Sequence, residues 1–367
     1  MTTTKNNEHK KLNVPNLRFP EFQGEWEKCK LGDLCNVLMC KRILASQTNT
    51  EEGVPFYKIG TIGNTPDAYI SQELFDEYKA KYNYPHKGEV MITCAGTVGK
   101  CVIYDGKDAY YQDSNIVWID NPSQYITNEF LYHLLAKVDW RKLNSTTIIR
   151  IYNDDLRNLK LNYPQVEEQQ KISRFLTLLD ERIATQNKII GKLQSLIKGI
   201  ADKLFQTART TKPLLEFAPN ITSGTDKSGS GTIPLYGSTG IIGTVKNASQ
   251  KGNIVLVARV GTIGTVQYIN EPCGVSDNAL IVEAGEMTKY IYHFLKTYNF
   301  ARITSGTTQP LITASSLKKA AIPTYDIESQ TRIVLCLNGL EKKLDMAKQY
   351  LSEIAVMKQY LLRQMFI

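Results

Sequence analysis

The sequence is written twice: six segments of the first half recur in the second half in the same order. Most of these pairs lie about 160 positions apart, a period far longer than the 20–50 residues of solenoid repeats. The pattern therefore predicts the duplication of one globular domain together with one helix. The paired segments are PFYKIGTIGNT from Pro55 and PLYGSTGIIGT from Pro234, KGEVMITCAGTVGK from Lys87 and KGNIVLVARVGTIGT from Lys251, DSNIVWI from Asp113 and SDNALIV from Ser276, FLYHLL from Phe130 and YIYHFL from Tyr290, NSTTIIRIYNDDL from Asn144 and SGTTQPLITASSL from Ser305, and EEQQKISRFLTLLDERI from Glu167 and ESQTRIVLCLNGLEKKL from Glu328.

The globular part of each repeat mixes short strands with one helix. Short apolar runs bounded by Gly, Asn, Asp and Pro are typical of strands and turns. A helical pattern at Asn128–Ala136, and again at Lys289–Thr297, interrupts them. We therefore expect an α+β module in each half. The clearest predicted strands are Val90–Thr93, Ile116–Ile119, Ile254–Ala258 and Ala279–Val282.

Each repeat ends in a long amphipathic segment that follows Pro164 or Pro323. Apolar residues recur there at steps of three and four for more than four heptads, the seam of a coiled coil. Gln186 and Lys358 interrupt the two seams, and a polar seam residue can fix register and partner. About 40 residues of helix would be ~60 Å long. The predicted helix–helix interface consists of Ile172, Phe175, Leu179, Ile183, Ile190, Leu193, Ile197, Ile333, Leu337, Leu340, Leu344, Leu351, Ile354 and Leu361.

These features predict an α+β protein with two mixed α/β domains joined by a long antiparallel two-helix coiled coil, arranged with pseudo-twofold symmetry. So narrow an apolar stripe cannot form a core by itself, and the other long helix is its nearest partner. The alternative is that each helix lies independently on its own domain. The predicted boundaries are a leader at 1–27, a first domain at 28–165, a central helix at 166–206, a second domain at 207–327 and a C-terminal helix at 328–367.

The charge is modestly basic and unevenly distributed. The whole chain carries a formal net charge of +8, while residues 1–166 are neutral and residues 207–327 carry 11 basic and 7 acidic side chains. This balance permits a polyanionic partner, and it fits an ordinary solvated surface equally well.

Metal, disulfide and membrane sites are not indicated. The seven cysteines form no CxxC pair, and none of the four histidines has zinc-like spacing to another ligand. We therefore expect reduced thiols and no metal. The polar start of the chain does not resemble a signal peptide, and every apolar run is far shorter than a membrane span. These observations predict a cytoplasmic protein.

Enzyme motifs are also missing from the sequence. The segment AGTVGK ending at Lys100 has Cys94 where a P-loop needs its first glycine, and Cys101 where it needs Ser or Thr. The segment NPSQ from Asn121 lacks the second proline and the aromatic residue of an amino-methyltransferase loop. No GxSxG, HExxH or GxGxxG motif occurs. We expect a chain that is not catalytic by itself and binds no cofactor.

The leader PNLRFPEFQGEW from Pro15 and the following KLGDL from Lys30 resemble the start of the specificity subunit of type I restriction–modification systems. The paired GTVG and GTIG segments, the paired STT and GTT segments and the two helix entries of the EQQKI type strengthen this resemblance, which covers nearly the whole chain. It implies two target recognition domains that bind double-stranded DNA, and helices that act as spacers and dock two modification (methyltransferase) subunits. It further implies S-adenosylmethionine on those subunits, and ATP and Mg²⁺ on restriction (translocase/nuclease) subunits.

Two different domains on a rigid helical rod would read two different half-sites at a fixed separation, about one helical turn or ~34 Å apart. The second domain is shorter, about 121 residues against about 138, so its half-site could differ in length or shape. Two alternatives stay open: a self-contained DNA methyltransferase or nuclease, and a coiled-coil scaffold without DNA specificity.

Base and phosphate contacts use cationic, amide and hydroxyl side chains on loops. The GTVG and GTIG segments could equally be hairpin turns, and Asp113-Ser114-Asn115 could serve as a local turn cap. In the first domain the predicted DNA-binding residues are Lys58, Thr61, Asn64, Thr97, Lys100, Tyr110, Tyr111, Gln112, Ser114 and Arg150. In the second they are Tyr236, Ser238, Thr239, Lys246, Arg259, Thr262, Thr265, Ser305, Thr307, Thr308 and Gln309.

Overall fold

The computed structural model describes residues 12–123, 125–142, 150–306 and 310–367. It divides into two units. Unit 1 comprises Met1–Ala184 with Ser352–Ile367, and unit 2 comprises Thr185–Leu351.

Unit 1 contains nine strands, four short helices and parts of the two long helices among its described residues. A four-stranded antiparallel sheet has the order β2-β8-β5-β6, and a three-stranded sheet has the order β4-β3-β7. A separate pair, β1 and β9, joins the start of the domain to its end. The elements are β1 (Glu27–Lys30), α1 (Leu31–Leu34), β2 (Asn36–Leu38), β3 (Val54–Tyr57), β4 (Tyr69–Ile70), α2 (Gln72–Lys81), β5 (Val90–Thr93), β6 (Cys101–Ile103), β7 (Tyr110–Tyr111), β8 (Ile116–Asp120), α3 (Asn128–Lys137), α4 (Asn153–Arg157), β9 (Lys160–Tyr163) and α5 (Val166–Gln206), which continues into unit 2.

Unit 2 repeats this topology. Its four-stranded antiparallel sheet has the order β11-β17-β14-β15, its three-stranded sheet has the order β13-β12-β16, and β10 pairs with β20. Its elements are β10 (Thr210–Pro213), β11 (Thr222–Ser223), β12 (Ile233–Tyr236), β13 (Ile241–Val245), β14 (Ile254–Ala258), β15 (Val266–Ile269), β16 (Gly274–Val275), β17 (Ala279–Val282), α6 (Thr288–Leu295), β18 (Thr304–Ser305), β19 (Leu311–Ile312), α7 (Ala314–Lys318), β20 (Ala321–Thr324) and α8 (Ile327–Gln364), whose last part belongs to unit 1.

The core of each unit combines sheet and helix. In unit 1, Val90, Ile92 and Val117 of the four-stranded sheet pack in one cluster with Phe130 and Leu131 of α3. In unit 2, β14 and β17 cluster with α6 in the same way. The central strands β5 and β14 are buried on both faces, which explains their unbroken apolar runs. The predicted α+β class is confirmed in both halves.

The long helices run antiparallel inside unit 1. Ile172 and Leu176 of α5 share a buried cluster with Leu361 of α8. About one turn beyond Leu176 in α5, Asp180 forms an ion pair with Lys358, which precedes Leu361 in α8. Increasing residue numbers on one helix therefore meet decreasing numbers on the other. Lys358, the polar residue that interrupts the C-terminal seam, is therefore paired with Asp180 of the other helix.

The same direction holds inside unit 2. The amide of Gln186 donates a hydrogen bond of 2.9 Å to the backbone oxygen of Ala347. Phe205, near the end of α5, clusters with Ile333 and Leu337 near the start of α8. The antiparallel helix pair is therefore confirmed within each unit, while the pseudo-twofold arrangement of the two units stays a prediction.

One predicted interface residue lies elsewhere. Phe175 is 37% exposed, and its ring packs edge-on against the leader residue Phe19 with centroids 6.2 Å apart. Leu176 takes the fully buried position in that turn. The other thirteen predicted interface residues are buried or half-buried. Phe175 is therefore a correction to the predicted seam: the leader covers it, because the chain before residue 27 packs on this part of α5.

The leader also contacts the end of the chain. The backbone N–H of Leu17 donates to the backbone oxygen of Gln364 at 2.9 Å. Arg18 forms an ion pair of 2.7 Å with the buried Glu168 at the start of α5. Trp26 packs edge-on against Phe366. Unit 1 thus joins both ends of the described chain in one core.

The two units differ in the segment that precedes the central strand of the four-stranded sheet. The unit 1 segment between β4 and β5 contains the ten-residue helix α2, and β13 and β14 of unit 2 are joined by only the eight residues 246–253. Within the described ranges, no helix is both long and apolar enough to cross a membrane.

Candidate nucleic-acid interface

Apart from Tyr110 and Tyr111, the predicted contact residues of unit 1 lie on turns and loops near the end of β5. In the first turn the backbone N–H of Gly99 donates to the oxygen of Thr93 at 2.8 Å, and that of Lys100 donates to the Thr93 hydroxyl at 3.0 Å. Gly99 has a φ of +82°, and a Cβ there would lie 2.1 Å from the Trp140 ring. Only glycine fits this position. The turn leaves Thr97 exposed.

A second turn, residues 58–64, contacts the first. The Thr61 hydroxyl accepts a 3.0 Å hydrogen bond from the backbone N–H of Lys58. The ammonium group of Lys100 donates to the backbone oxygen of Ile62 and so joins the two turns. Lys58 itself forms an ion pair of 2.9 Å with Asp67. The two turns thus form one polar surface, on which Asp67 partly neutralises the charge of Lys58.

The third part of this surface is the segment that precedes α4. The backbone N–H of Ile151 donates to the oxygen of Cys94 at 2.8 Å, which places this segment beside the first turn. The Arg150 guanidinium donates to the backbone oxygen of Ser114 at 3.3 Å. Ser114 has a φ of +54°, so the predicted turn role of Asp113-Ser114-Asn115 is real. Turn chemistry and an exposed polar surface coexist here.

Unit 2 repeats this backbone frame. The N–H of Gly264 donates to the oxygen of Ala258 at 3.0 Å, and Gly264 packs against Phe300 as Gly99 does against Trp140. The N–H of Ile312 donates to the oxygen of Arg259 at 3.0 Å, as Ile151 does to Cys94. The two units share this frame, but the residue whose backbone oxygen accepts the last hydrogen bond is the cation Arg259 in unit 2 and the buried thiol Cys94 in unit 1.

A hairpin tip completes the unit 2 surface. The N–H of Gly237 donates to the oxygen of Gly240 at 2.8 Å, which closes the β12–β13 turn. The Thr262 hydroxyl donates to the backbone oxygen of Ser238 at 3.4 Å, and the Gln267 amide donates to the oxygen of Gly237 at 2.9 Å. These contacts join the GTIG turn and strand β15 to the hairpin tip.

Two predicted contacts are wrong. Tyr110 and Tyr111 are 0% and 6% exposed, because β7 pairs in parallel with β3 and both side chains enter the core. Tyr111 stacks on Tyr57 with ring centroids 5.8 Å apart.

The other predicted contacts differ in exposure. Thr307, Thr308 and Gln309 lie outside the described residues. The exposed ones are Asn64, Thr97, Thr239, Lys246, Thr262 and Ser305. The half-buried ones are Lys58, Thr61, Lys100, Gln112, Ser114, Arg150, Tyr236, Ser238, Arg259 and Thr265.

Two kinds of side chain at these surfaces were not among the residues predicted from the sequence. Arg42 forms an ion pair of 2.9 Å with Asp113, and it is largely exposed. At the unit 2 hairpin tip, Ile241 and Ile242 are 62% and 50% exposed. An isoleucine carries no polar signal, so only its exposure in the fold identifies it.

Among the described residues of unit 1, the two cysteines near these turns are not activated nucleophiles. Burial raises the pKa of both Cys94 and Cys101 to about 12, so both are neutral thiols near pH 7. Throughout the described ranges, no group of three or more His, Cys, Asp or Glu could hold a metal ion. The exposed hydroxyl, amide and cationic groups of the unit 1 surface are suited to binding phosphates and base edges.

Comparison with known proteins agrees with this chemistry. A family model described as "Type I restriction modification DNA specificity domain" matches residues 23–195 and again residues 211–356. A Haemophilus influenzae protein named "Putative type I restriction enzyme specificity subunit" is 49% identical over 169 residues, 46% of this chain and 43% of that protein. A protein from Methanocaldococcus jannaschii, named "Putative type I restriction enzyme MjaX specificity subunit", is 26% identical over 212 residues, 54% of this chain and 49% of that protein. The chain thus spans about half the length of the curated relatives it matches.

Solved structures share the fold. The S subunit of a type I restriction–modification system from M. genitalium aligns with a TM-score of 0.67 at 19% identity, covering 96% of this chain and 99% of that one. A chain from a study of complex assembly in a type I system aligns with a TM-score of 0.54 at 16% identity, covering 92% and 96%. The matched family is a DNA specificity domain and not a catalytic one, which agrees with the predicted lack of catalysis. With two copies of that domain matched over most of its length, this chain belongs to the type I restriction–modification DNA specificity family.

Proposed function

We propose that the chain is the DNA sequence-specificity subunit of a type I restriction–modification complex. Each domain, 28–165 and 207–327, reads one half of an asymmetric bipartite target. One observation carries this proposal: both units hold the same hydrogen-bonded turn frame, yet they expose different side chains on it. Two domains that bind different half-sites require a common backbone frame that carries different contact side chains.

The long helices have two roles in this proposal. Residues 166–206 and 328–367 set the separation of the half-sites and dock two modification subunits. Large apolar side chains that stay exposed on both helices support the docking role, since such residues mark interaction surfaces. They include Leu178, Ile189 and Leu196 of α5 and Leu335, Met346 and Val356 of α8.

The proposed complex acts in the cytoplasm and takes its chemistry from other subunits. Modification subunits supply S-adenosylmethionine, and restriction subunits supply ATP and Mg²⁺. This chain contributes DNA recognition and assembly and binds no cofactor itself.

The test is selection from a random DNA library by the full chain assembled with its modification subunits. Bound duplexes are sequenced, and affinity for the enriched site and for a scrambled duplex is then measured at several salt concentrations. We expect a two-part consensus with a constant gap, and a preference over scrambled DNA that persists as salt rises.

The open alternatives give other results. A self-contained enzyme would methylate or cut DNA when the chain is supplied alone with S-adenosylmethionine or Mg²⁺. A scaffold without DNA specificity would give no consensus, and its binding to both duplexes would fall equally with salt.

A further inference from the structure

The β12–β13 hairpin of unit 2 ends in an apolar tip on an otherwise polar surface. Ile241 and Ile242 are the first two residues of β13, and the pairing with β12 shifts register there, because Ile241 lies opposite Tyr236 and Gly243 lies opposite Leu235. Both isoleucines are at least half exposed. The tip therefore presents two adjacent large apolar side chains to solvent.

The tip is held rigidly among the predicted DNA contacts. The hydrogen bond from Thr262 ties Ser238 to the neighbouring turn, and the one from Gln267 ties Gly237 to strand β15. Ile242 packs over Gly237, where a Cβ would lie 2.9 Å from its side chain. Ile242 thus supports the turn, and Ile241 is the more exposed of the two.

The surroundings indicate what covers Ile241. Residues 207–327 carry a net charge of +4, and the exposed polar residues Thr239 and Thr262 lie beside the tip. A polyanion with an apolar group between hydrogen-bonding groups would complement this surface. The major groove of DNA admits a two-stranded ribbon and presents such a group, the 5-methyl of thymine.

On the basis of the proposed function, we infer that Ile241 reads an A·T pair in the half-site of the second domain through the thymine 5-methyl group. Unit 1 differs at this point, because Ile62 in the corresponding segment is buried. The apolar contact is therefore specific to the second domain.

Deoxyuridine tests the inference, since it differs from thymidine only by that methyl group. Each thymine of the second half-site, on either strand, is replaced in turn, and binding by the full chain with its modification subunits is measured for wild type and for Ile241→Ala. Loss of one buried methyl weakens binding about fourfold. We expect this loss in wild type at one position or more, and no further loss at that position in I241A.

The matched control is Leu215→Ala, which removes a similarly exposed apolar side chain of unit 2 away from the tip. It should keep the wild-type response to deoxyuridine. The inference is overturned if wild type tolerates deoxyuridine at every position, if I241A responds as wild type does, or if the half-site contains no A·T pair. In each of these cases a preference for the cognate site over scrambled DNA leaves the proposed function standing.

Discussion

Replacing Gly99 with alanine should destabilise unit 1 and distort its DNA-facing turn. The glycine has a φ of +82°, and the new Cβ would lie 2.1 Å from Cδ1 and 2.7 Å from Nε1 of Trp140. Left-handed backbone costs an L-residue roughly 1–2 kcal/mol. Overpacking a filled site costs about 1–3 kcal/mol more. We therefore expect the free energy of unfolding to fall by about 2–5 kcal/mol.

Two other glycines separate these contributions. Gly24 has a φ of +83° with nothing within 4 Å of an added Cβ, so Gly24→Ala should cost only the roughly 1–2 kcal/mol of the backbone. Gly60 has neither a positive φ nor a neighbour within that distance. Gly60→Ala should stay within about 0.5 kcal/mol of wild type.

Urea unfolding followed by tryptophan fluorescence is the assay. All three tryptophans, at 26, 118 and 140, are buried in unit 1, so their emission reports on that unit alone. With an m-value of about 3 kcal/mol/M, a loss of 3 kcal/mol lowers the midpoint by about 1 M. Equal midpoints for the Gly99 and Gly24 variants would refute the packing argument.

Three further predictions concern pH, the helix pair and DNA. Burial lowers the pKa of His133 from 6.5 to about 4, so between these pH values the unfolded chain binds more protons than the folded one. The free energy of unfolding, followed by tryptophan fluorescence, should therefore be full above about pH 6.5 and fall by about 3 kcal/mol towards pH 4. The His133→Gln variant should lose this pH dependence. Lys358→Met leaves the half-buried Asp180 carboxylate unpaired and should cost about 1–3 kcal/mol; the double variant with Asp180→Asn should recover part of that loss in the same urea assay, and an additive double variant would contradict the pairing. Lys246→Gln removes an exposed cation and should weaken binding to cognate and scrambled duplexes alike, lowering the slope of log K against log salt by about 1; a change in the preferred sequence would contradict a phosphate contact.

Periodic and repeated features were the part of the fold that the sequence could predict. The long helices follow from an apolar spacing that only a paired helix satisfies, and the matching topology follows from the duplication. The sequence pattern did not predict that Leu176, and not Phe175, takes the buried position in its turn of the helix. Both positions suit the seam, and the choice depends on Phe19, which lies more than 150 residues earlier in the chain.

The candidate site was predictable only in its turns. Glycines at fixed spacing identify the turn frame of both domains. Burial of Tyr110 and Tyr111 depends on the parallel pairing of a two-residue strand with β3, about 50 positions away, which leaves no local pattern. The exposed Ile241 was missed for the converse reason, since an isoleucine in a β pattern normally enters the core.

A domain exchange tests the proposed recognition most directly. Residues 207–327 are replaced with the corresponding domain of another specificity subunit, and methylated adenines are mapped across a genome that expresses the hybrid with its modification subunits. We predict that one half of the bipartite target changes while the other half stays as in wild type. A target that stays the same in both halves, or changes in both, would contradict independent reading by the two domains.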